Sequence, residues 1–167
     1  MAPSREQIAD WLDGYFEAVN SNQGALEVVG RSRKYFSPDL KFTMYTATTP
    51  EMRRPLNREQ LLMTFVHPGL HERLTPNYYV IDGEALKAVV QFSIVFRDEA
   101  SGKEWPVKQA SAHYQLESGP SGELLIAEIQ YWTEIFGDEF RPMFQLWHRA
   151  RDEALTESKS EYARGPE

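Results

Sequence analysis

The chain contains no cysteine. That absence removes disulfides, thiolate nucleophiles, zinc–thiolate sites and Cys-ligated iron–sulfur clusters. Positive charge is scarce as well: 18 Lys and Arg stand against 25 Asp and Glu, a net charge of −7. A dedicated nucleic-acid binder would show a clustered basic excess, and an anionic membrane surface would repel such a chain. No segment reaches the ~18 continuous apolar residues of a membrane span, and MAPSREQIADWL has no apolar run like that of a secretory leader. The expectation is an intracellular, cytoplasmic soluble protein. There is also no glycine-rich phosphate loop, no Gly-x-Ser-x-Gly elbow and no His-Glu-x-x-His, so nothing points to a nucleotide, a serine nucleophile or a zincin site. No cofactor and no metal are expected. Internal repeats and low-complexity segments are missing too.

What is present is globular: 167 residues, 41% hydrophobic and 13% aromatic. That length suits one domain with a core and room for an internal pocket. Ser4 and Gln7 form a capping-box signature ahead of Ile8, Trp11, Leu12, Tyr15, Phe16 and Val19, which write one apolar stripe on a helix. A shorter helix is expected from about 25 to 36, with Leu26, Val29 and Tyr35 inward. Ser37-Pro38-Asp39 reads as a turn, and LKFTMYTAT (40–48) alternates as a strand. Asn57 and Gln60 open a third helix that His67-Pro68-Gly69 breaks. From residue 76 onward the pattern turns to strands: NYYVID, then LKAVVQFSIVFRDE, EWPVKQASAHYQLE and ELLIAEIQYWTEIF, joined by turn and hairpin loops. Pro142 fits the first turn of a last helix, about 141–157, and SKSEYARGPE (158–167) reads as a disordered tail. The domain spans 1–157 with its core at 4–136. Helices first and antiparallel hairpins after give an α+β layout, a curved sheet with helices on its concave side forming a cone.

One strand resists simple assignment. KQASAHYQLE (108–117) has a polar face of Gln109, Ser111, His113 and Gln115, and an opposite face of alanines, Tyr114 and Leu116 interrupted by Lys108. The element order, FSPDLKFTMYT and SAHYQLESGPSGELLIAEIQYWTE together resemble the nuclear transport factor 2-like superfamily. Within it they are most similar to the SnoaL-like, ketosteroid-isomerase-like and scytalone-dehydratase-like small enzymes. The resemblance spans nearly all of the chain to about residue 136, and it implies a cone-shaped barrel of mixed, mostly antiparallel sheet wrapped around N-terminal helices, the cystatin-like α+β roll. Aligned on Gly122, Ser111-Ala112-His113 falls where the scytalone-dehydratase pattern has a pocket-facing Ser-x-Asn. The same register points Ile129, Tyr131 and Thr133 into the cone. The rest of that catalytic set has no counterpart: Val19 and Asn20 stand where a tyrosine–aspartate pair is expected, and Tyr78 and Phe96 near the two histidines.

The resemblance thus implies a cofactor-independent isomerase, cyclase or dehydratase (a lyase or isomerase) acting by proton transfer on a hydrophobic, oxygenated small molecule. A polyketide, terpenoid or steroid-like compound of secondary metabolism would fit. Histidine is the side chain suited to proton transfer near neutral pH, so His113 is the candidate acid–base; the alternative is a polar residue on a wet strand face. Ser111 would bind a substrate oxygen or fix the imidazole, or be a small structural serine. Tyr131 and Tyr15 are candidate oxyanion donors, with core packing as the plainer reading. Trp11, Tyr45, His67, Tyr78, Thr133 and Ile129 complete the candidate substrate-binding set. His67 and His71, four apart, invite a zinc reading that Pro68-Gly69 undercuts; HPGLHERL reads better as a connection or a mobile lid. Glu128 and Glu134 belong to the convex side, and FRPMFQLWHRA could close the mouth or dock on a second subunit. A homodimer is expected, and the competing class is a non-catalytic ligand-binding or dimerisation domain.

Overall fold

The computed structural model describes residues 3–46 and 53–164. Helix α1 (Arg5–Asn20) starts as its sequence requires: the Gln7 amide donates to Ser4 Oγ at 3.2 Å, and the Ser4 amide donates to Gln7 Oε1 at 2.7 Å. Such a cap contributes about 1 kcal/mol. Helix α2 (Glu27–Arg33) is shorter than expected and buries Val28 and Ser32, leaving Leu26 exposed. Strand β1 (Phe36–Met44) therefore begins earlier, and Pro38 lies within it. Pro38 is tolerated there because β1 is an edge strand, where a missing amide need break no ladder bond. Residues 47 and 48, taken into that strand from the alternation, lie outside the described residues. Helix α3 (Arg58–Thr64) carries a second capping box, Asn57 with Gln60.

Four strands follow: β2 (Leu70–Asp82), β3 (Lys87–Asp98), β4 (Lys108–Ser118) and β5 (Leu124–Thr133). They pair antiparallel in sequence, and β1 joins β5 in parallel, giving the order β1-β5-β4-β3-β2. The result is an α+β fold with one open, mixed sheet. Its inner face carries Val90, Phe92, Ile94 and Phe96 of β3, Tyr114 and Leu116 of β4, and Ile126 and Ile129 of β5. Against it pack Ile8, Leu12, Tyr15 and Phe16 of α1. Truncating a side chain such as the fully buried Phe92 to alanine would cost about 3–5 kcal/mol.

β2 starts at Leu70, six residues before the texture change seen in the sequence, so the HERL of HPGLHERL is strand. The last helix, α4 (Arg141–Arg164), runs past the expected end at 157 through what reads as a disordered tail. Lys159, Glu161, Ala163 and Arg164 are good helix formers, and the first breakers are Gly165 and Pro166. Among the described residues no helix is long and apolar enough to cross a membrane.

Candidate functional site

β4 fixes which candidate residues can meet. Ala110, Ala112, Tyr114 and Leu116 are buried on its inner face, while His113 is exposed and Ser111 half-buried on the outer one. The expected inward register for Ser111 and His113 is thus reversed. Side chains alternate with period two, so a one-residue slip moves the whole set across the sheet. The physical reason for the observed facing lies in the partners. Ala112 sits between Val90 and Tyr131, and Tyr114 between Ala88 and Ile129, so the small residues leave room beneath the sheet for bulky neighbours. His113 instead tilts over Trp132 with ring centroids 4.6 Å apart, and Tyr45 stacks on the same indole at 4.9 Å.

The other candidates divide between the two faces. Tyr78 is exposed on the outer face, where it borders a shallow groove of about 370 Å³ with Gln91, Gln109, Ser111, Trp132 and Thr133. Thr133 stands at the rim, its hydroxyl donating to the Gln109 carbonyl at 3.4 Å. Trp11 packs edge-on against Tyr35 between α1 and the start of β1, away from the cone's interior. His71 lies beside Glu99 at 3.6 Å, apart from His67. Tyr15, Ile129 and Tyr131 do come together, lining a cavity of about 100 Å³ inside the cone. That space holds roughly three waters.

The walls of this cavity are apolar: Phe42, Met44, Phe65, Phe92, Ile129 and Trp147. Five polar side chains line it: Tyr15, Tyr114, Tyr131, Glu72 and Thr64, whose hydroxyl donates to the Leu61 carbonyl at 2.7 Å. Glu72 and Tyr114 were missed in the sequence reading. Glu72 has the inward parity of β2, between Leu70 and Leu74, and pairs with Phe96. A carboxylate at an inward position breaks the apolar alternation that marks a strand, so the segment reads as a loop. A charged residue flanked at i±2 by leucines was the available signal.

Behind Glu72 stands His67, only 2% exposed, with Nε2 3.3 Å from Glu72 Oε2. Its Nδ1 donates to the Leu70 carbonyl at 2.8 Å, and its amide donates to the Gly24 carbonyl at 2.8 Å. A carbonyl can only accept, so Nδ1 carries a proton. Nε2 then meets a carboxylate, and two bare lone-pair groups do not hold that distance without a proton between them. The pair can therefore hold one proton between them. Burial is the largest influence on His67 and pulls its pKa down, but the Glu72 hydrogen bond and charge, with the Leu70 carbonyl, raise it overall. The Trp147 ring closes over the imidazole edge-on at 5.4 Å, and its indole N–H donates to the Thr64 carbonyl at 3.2 Å.

The tyrosines have one electrostatic character. Burial raises the pKa of Tyr15, with the Tyr114 hydroxyl opposing and the Glu72 charge adding. Burial likewise raises Tyr114, with Tyr15 adding to it. Tyr131 is raised by burial and then by the Glu72 charge. All three stay neutral and can donate a hydrogen bond without losing a proton. The two larger depressions are surface grooves without such a set. One is the outer groove; the other, about 530 Å³ beside the free edge of β2, mixes Glu17, Glu104, Arg73 and Arg97 and touches Glu72 from the side away from the tyrosines. The interior cavity is thus the candidate site.

No family model matches the chain, and no curated protein does. Solved structures match it in fold. An NTF2-like protein of unknown function from Cytophaga hutchinsonii is 17% identical over 81% of this chain and 93% of its own, with a TM-score of 0.51. A candidate polyketide cyclase from Xanthomonas campestris pv. campestris is 13% identical, with 88% and 98% covered and a TM-score of 0.57. A ketosteroid isomerase-like protein from Erwinia carotovora atroseptica is 12% identical, with 77% and 95% covered and a TM-score of 0.52.

Proposed function

Starting from a nuclear transport factor 2-like fold, we propose that this chain is an acid–base enzyme for a neutral, largely apolar carbonyl compound. Isomerisation or cyclisation through an enol or enolate is the reaction class, and a polyketide or terpenoid skeleton the substrate class. One observation carries the reading: a carboxylate backed by an imidazole opens into an otherwise apolar cavity with three neutral phenol hydroxyls. With the stored proton on His67, Glu72 is the base that takes a proton from carbon α to the carbonyl. A tyrosine hydroxyl, Tyr131 or Tyr15, donates to the developing enolate oxygen. Return of the proton from Glu72 to another carbon completes an isomerisation, with no net gain or loss of protons. No Lys or Arg lines the cavity, and the Glu72 charge disfavours an acid there. That selects for uncharged substrates.

Ligand sites usually occupy about 300–1,000 Å³, so a large substrate needs more room than the cavity of about 100 Å³ gives. That room would have to come from the wall made by Phe65 beside α3 and Trp147 of α4. The test is deuterium exchange at the α-carbon of a panel of cyclic ketones and enones in D₂O, followed by NMR. Wild type is expected to exchange at least one of them, and Glu72→Gln to lose about 10²-fold or more. No exchange above buffer, or equal rates in both proteins, overturns the proposal.

The outer sheet face supports a second proposed property, association with a second copy. Between Lys87 and Glu128 at one end and Glu134 at the other, its central strands present Val89, Gln91, Ser93, Ser111, His113, Gln130 and Trp132, with no formal charge. The exposed Tyr45, Tyr78 and Val80 flank them. On a chain of net charge −7, a neutral aromatic patch is where two like-charged copies can approach.

A further inference from the structure

We propose that Gly24 is a positioning residue for the Glu72–His67 pair: the space its missing Cβ leaves is the space the imidazole occupies. The inference rests on the proton-transfer reading and adds a residue remote in sequence from the cavity. Gly24 ends the 3-10 turn Ser21–Gly24 that follows α1, and it is buried. A Cβ built on it would lie 2.5 Å from His67 Nδ1, 2.9 Å from Cε1 and 2.8 Å from the His67 carbonyl oxygen. Real Cβ atoms do not approach that closely, so the ring would have to leave. Nδ1 is the atom that donates to the Leu70 carbonyl. Displacing it breaks the bond that fixes the tautomer and swings Nε2 away from Glu72. The Gly24 carbonyl also receives the His67 amide at 2.8 Å, so one residue holds the histidine by backbone and admits it by side chain. The remaining groups around the ring are Glu72 of β2 and Trp147 of α4.

A buried glycine with φ +80 is strained by any substitution, so the test must separate strain from position. Gly69 supplies the control. It lies in the same turn as His67, has φ +86, and a Cβ there meets nothing within 4 Å. Gly24→Ala and Gly69→Ala thus carry similar backbone strain, and only the first touches His67. The readout is the ¹⁵N spectrum of the His67 ring across pH, in the free protein, with melting temperature recorded alongside. Wild type and Gly69→Ala are expected to show the Nδ1-protonated form and a titration above the ordinary imidazole range. In Gly24→Ala the tautomer signature is lost and the titration moves down. A folded Gly24→Ala protein with His67 unchanged overturns the proposal, as does an equal change in Gly69→Ala. Should Gly24→Ala fail to fold, the same substitution is made in a His67→Ala background, where the ring is gone. A smaller loss of melting temperature there than in wild type supports the positioning role, and an equal or larger loss refutes it. These readouts need no substrate, so they can fail while catalysis by Glu72 stands, and the reverse.

Discussion

Replacing Glu72 by glutamine should reverse the sign of one contribution to the protein's pH-dependent stability. In the wild type the folded pKa of His67 is raised, since Glu72 and the Leu70 carbonyl outweigh burial. A raised folded value gives stability that is fully present below the unfolded value of about 6.5 and lost as pH rises through the folded one. Glutamine keeps the shape of Glu72 and removes its charge. Burial, the largest single influence on His67, then dominates and depresses the folded value below the unfolded one. The contribution now runs the other way, present at high pH and lost as pH falls. Breaking a buried ion pair costs about 3–5 kcal/mol. The Glu72 side chain is 17% exposed against 3% for His67, so the low end, about 3 kcal/mol, is expected at pH 5.5. Each unit between folded and unfolded values is worth about 1.4 kcal/mol, and the difference between the proteins should shrink steadily toward pH 8.5. Urea unfolding followed by circular dichroism at half-unit steps reads this directly. The three remaining histidines are common to both proteins and cancel in the difference. Parallel stability curves for wild type and Glu72→Gln would refute the shared-proton reasoning.

Three further outcomes are expected. Ala112→Leu forces a larger side chain into the buried space between Val90 and Tyr131 and should destabilise by about 1–3 kcal/mol. His113→Gln on the opposite face should change stability by less than about 0.5 kcal/mol; equal effects in urea unfolding would contradict the facing assigned to β4. Trp132→Glu places a carboxylate at the centre of the neutral outer face, twice over in a two-fold dimer. Sedimentation should show a wild-type dimer falling to a monomer, and a monomeric wild type would remove the second-copy proposal.

The two capping boxes were legible because Ser4–Gln7 and Asn57–Gln60 are local chemistry, satisfied within three residues. The long strands β3 to β5 were legible from alternation, and so was the α+β order. Only the second half of β2, NYYVID, was legible, because in the first half Glu72 sits where the pattern demands a hydrophobe. β1 was read as starting late because Pro38 signals a turn, while only the assembled sheet shows that it lies on an edge strand. The tail beyond 157 lacks an apolar stripe, yet composition alone extends the helix. The facing of β4 is the most instructive case. Its plain amphipathic pattern, polar Gln109-Ser111-His113-Gln115 outward and Ala-Ala-Tyr-Leu inward, is what the structure shows. The alignment to a relative's pocket reversed it. The same alignment placed Ile129 and Tyr131 inward, where β5 carries them, and the apolar stripe of α1 placed Tyr15 against the sheet. His67 was identified, but its partner Glu72 was not, and the pair is visible only when the turn after α3 brings β2 beneath it.

The central claim is that ligand chemistry belongs inside the cone, at Glu72 and the three tyrosines, and away from Ser111 and His113. Titrating ¹⁵N- and ¹³C-labelled protein with cyclohex-2-enone, a small neutral ring ketone, tests it most directly. Shifts are expected to centre on Glu72, Tyr114, Ile129 and Tyr131, with Ser111 and His113 unmoved. Shifts confined to the outer face, or none at any residue, would contradict it.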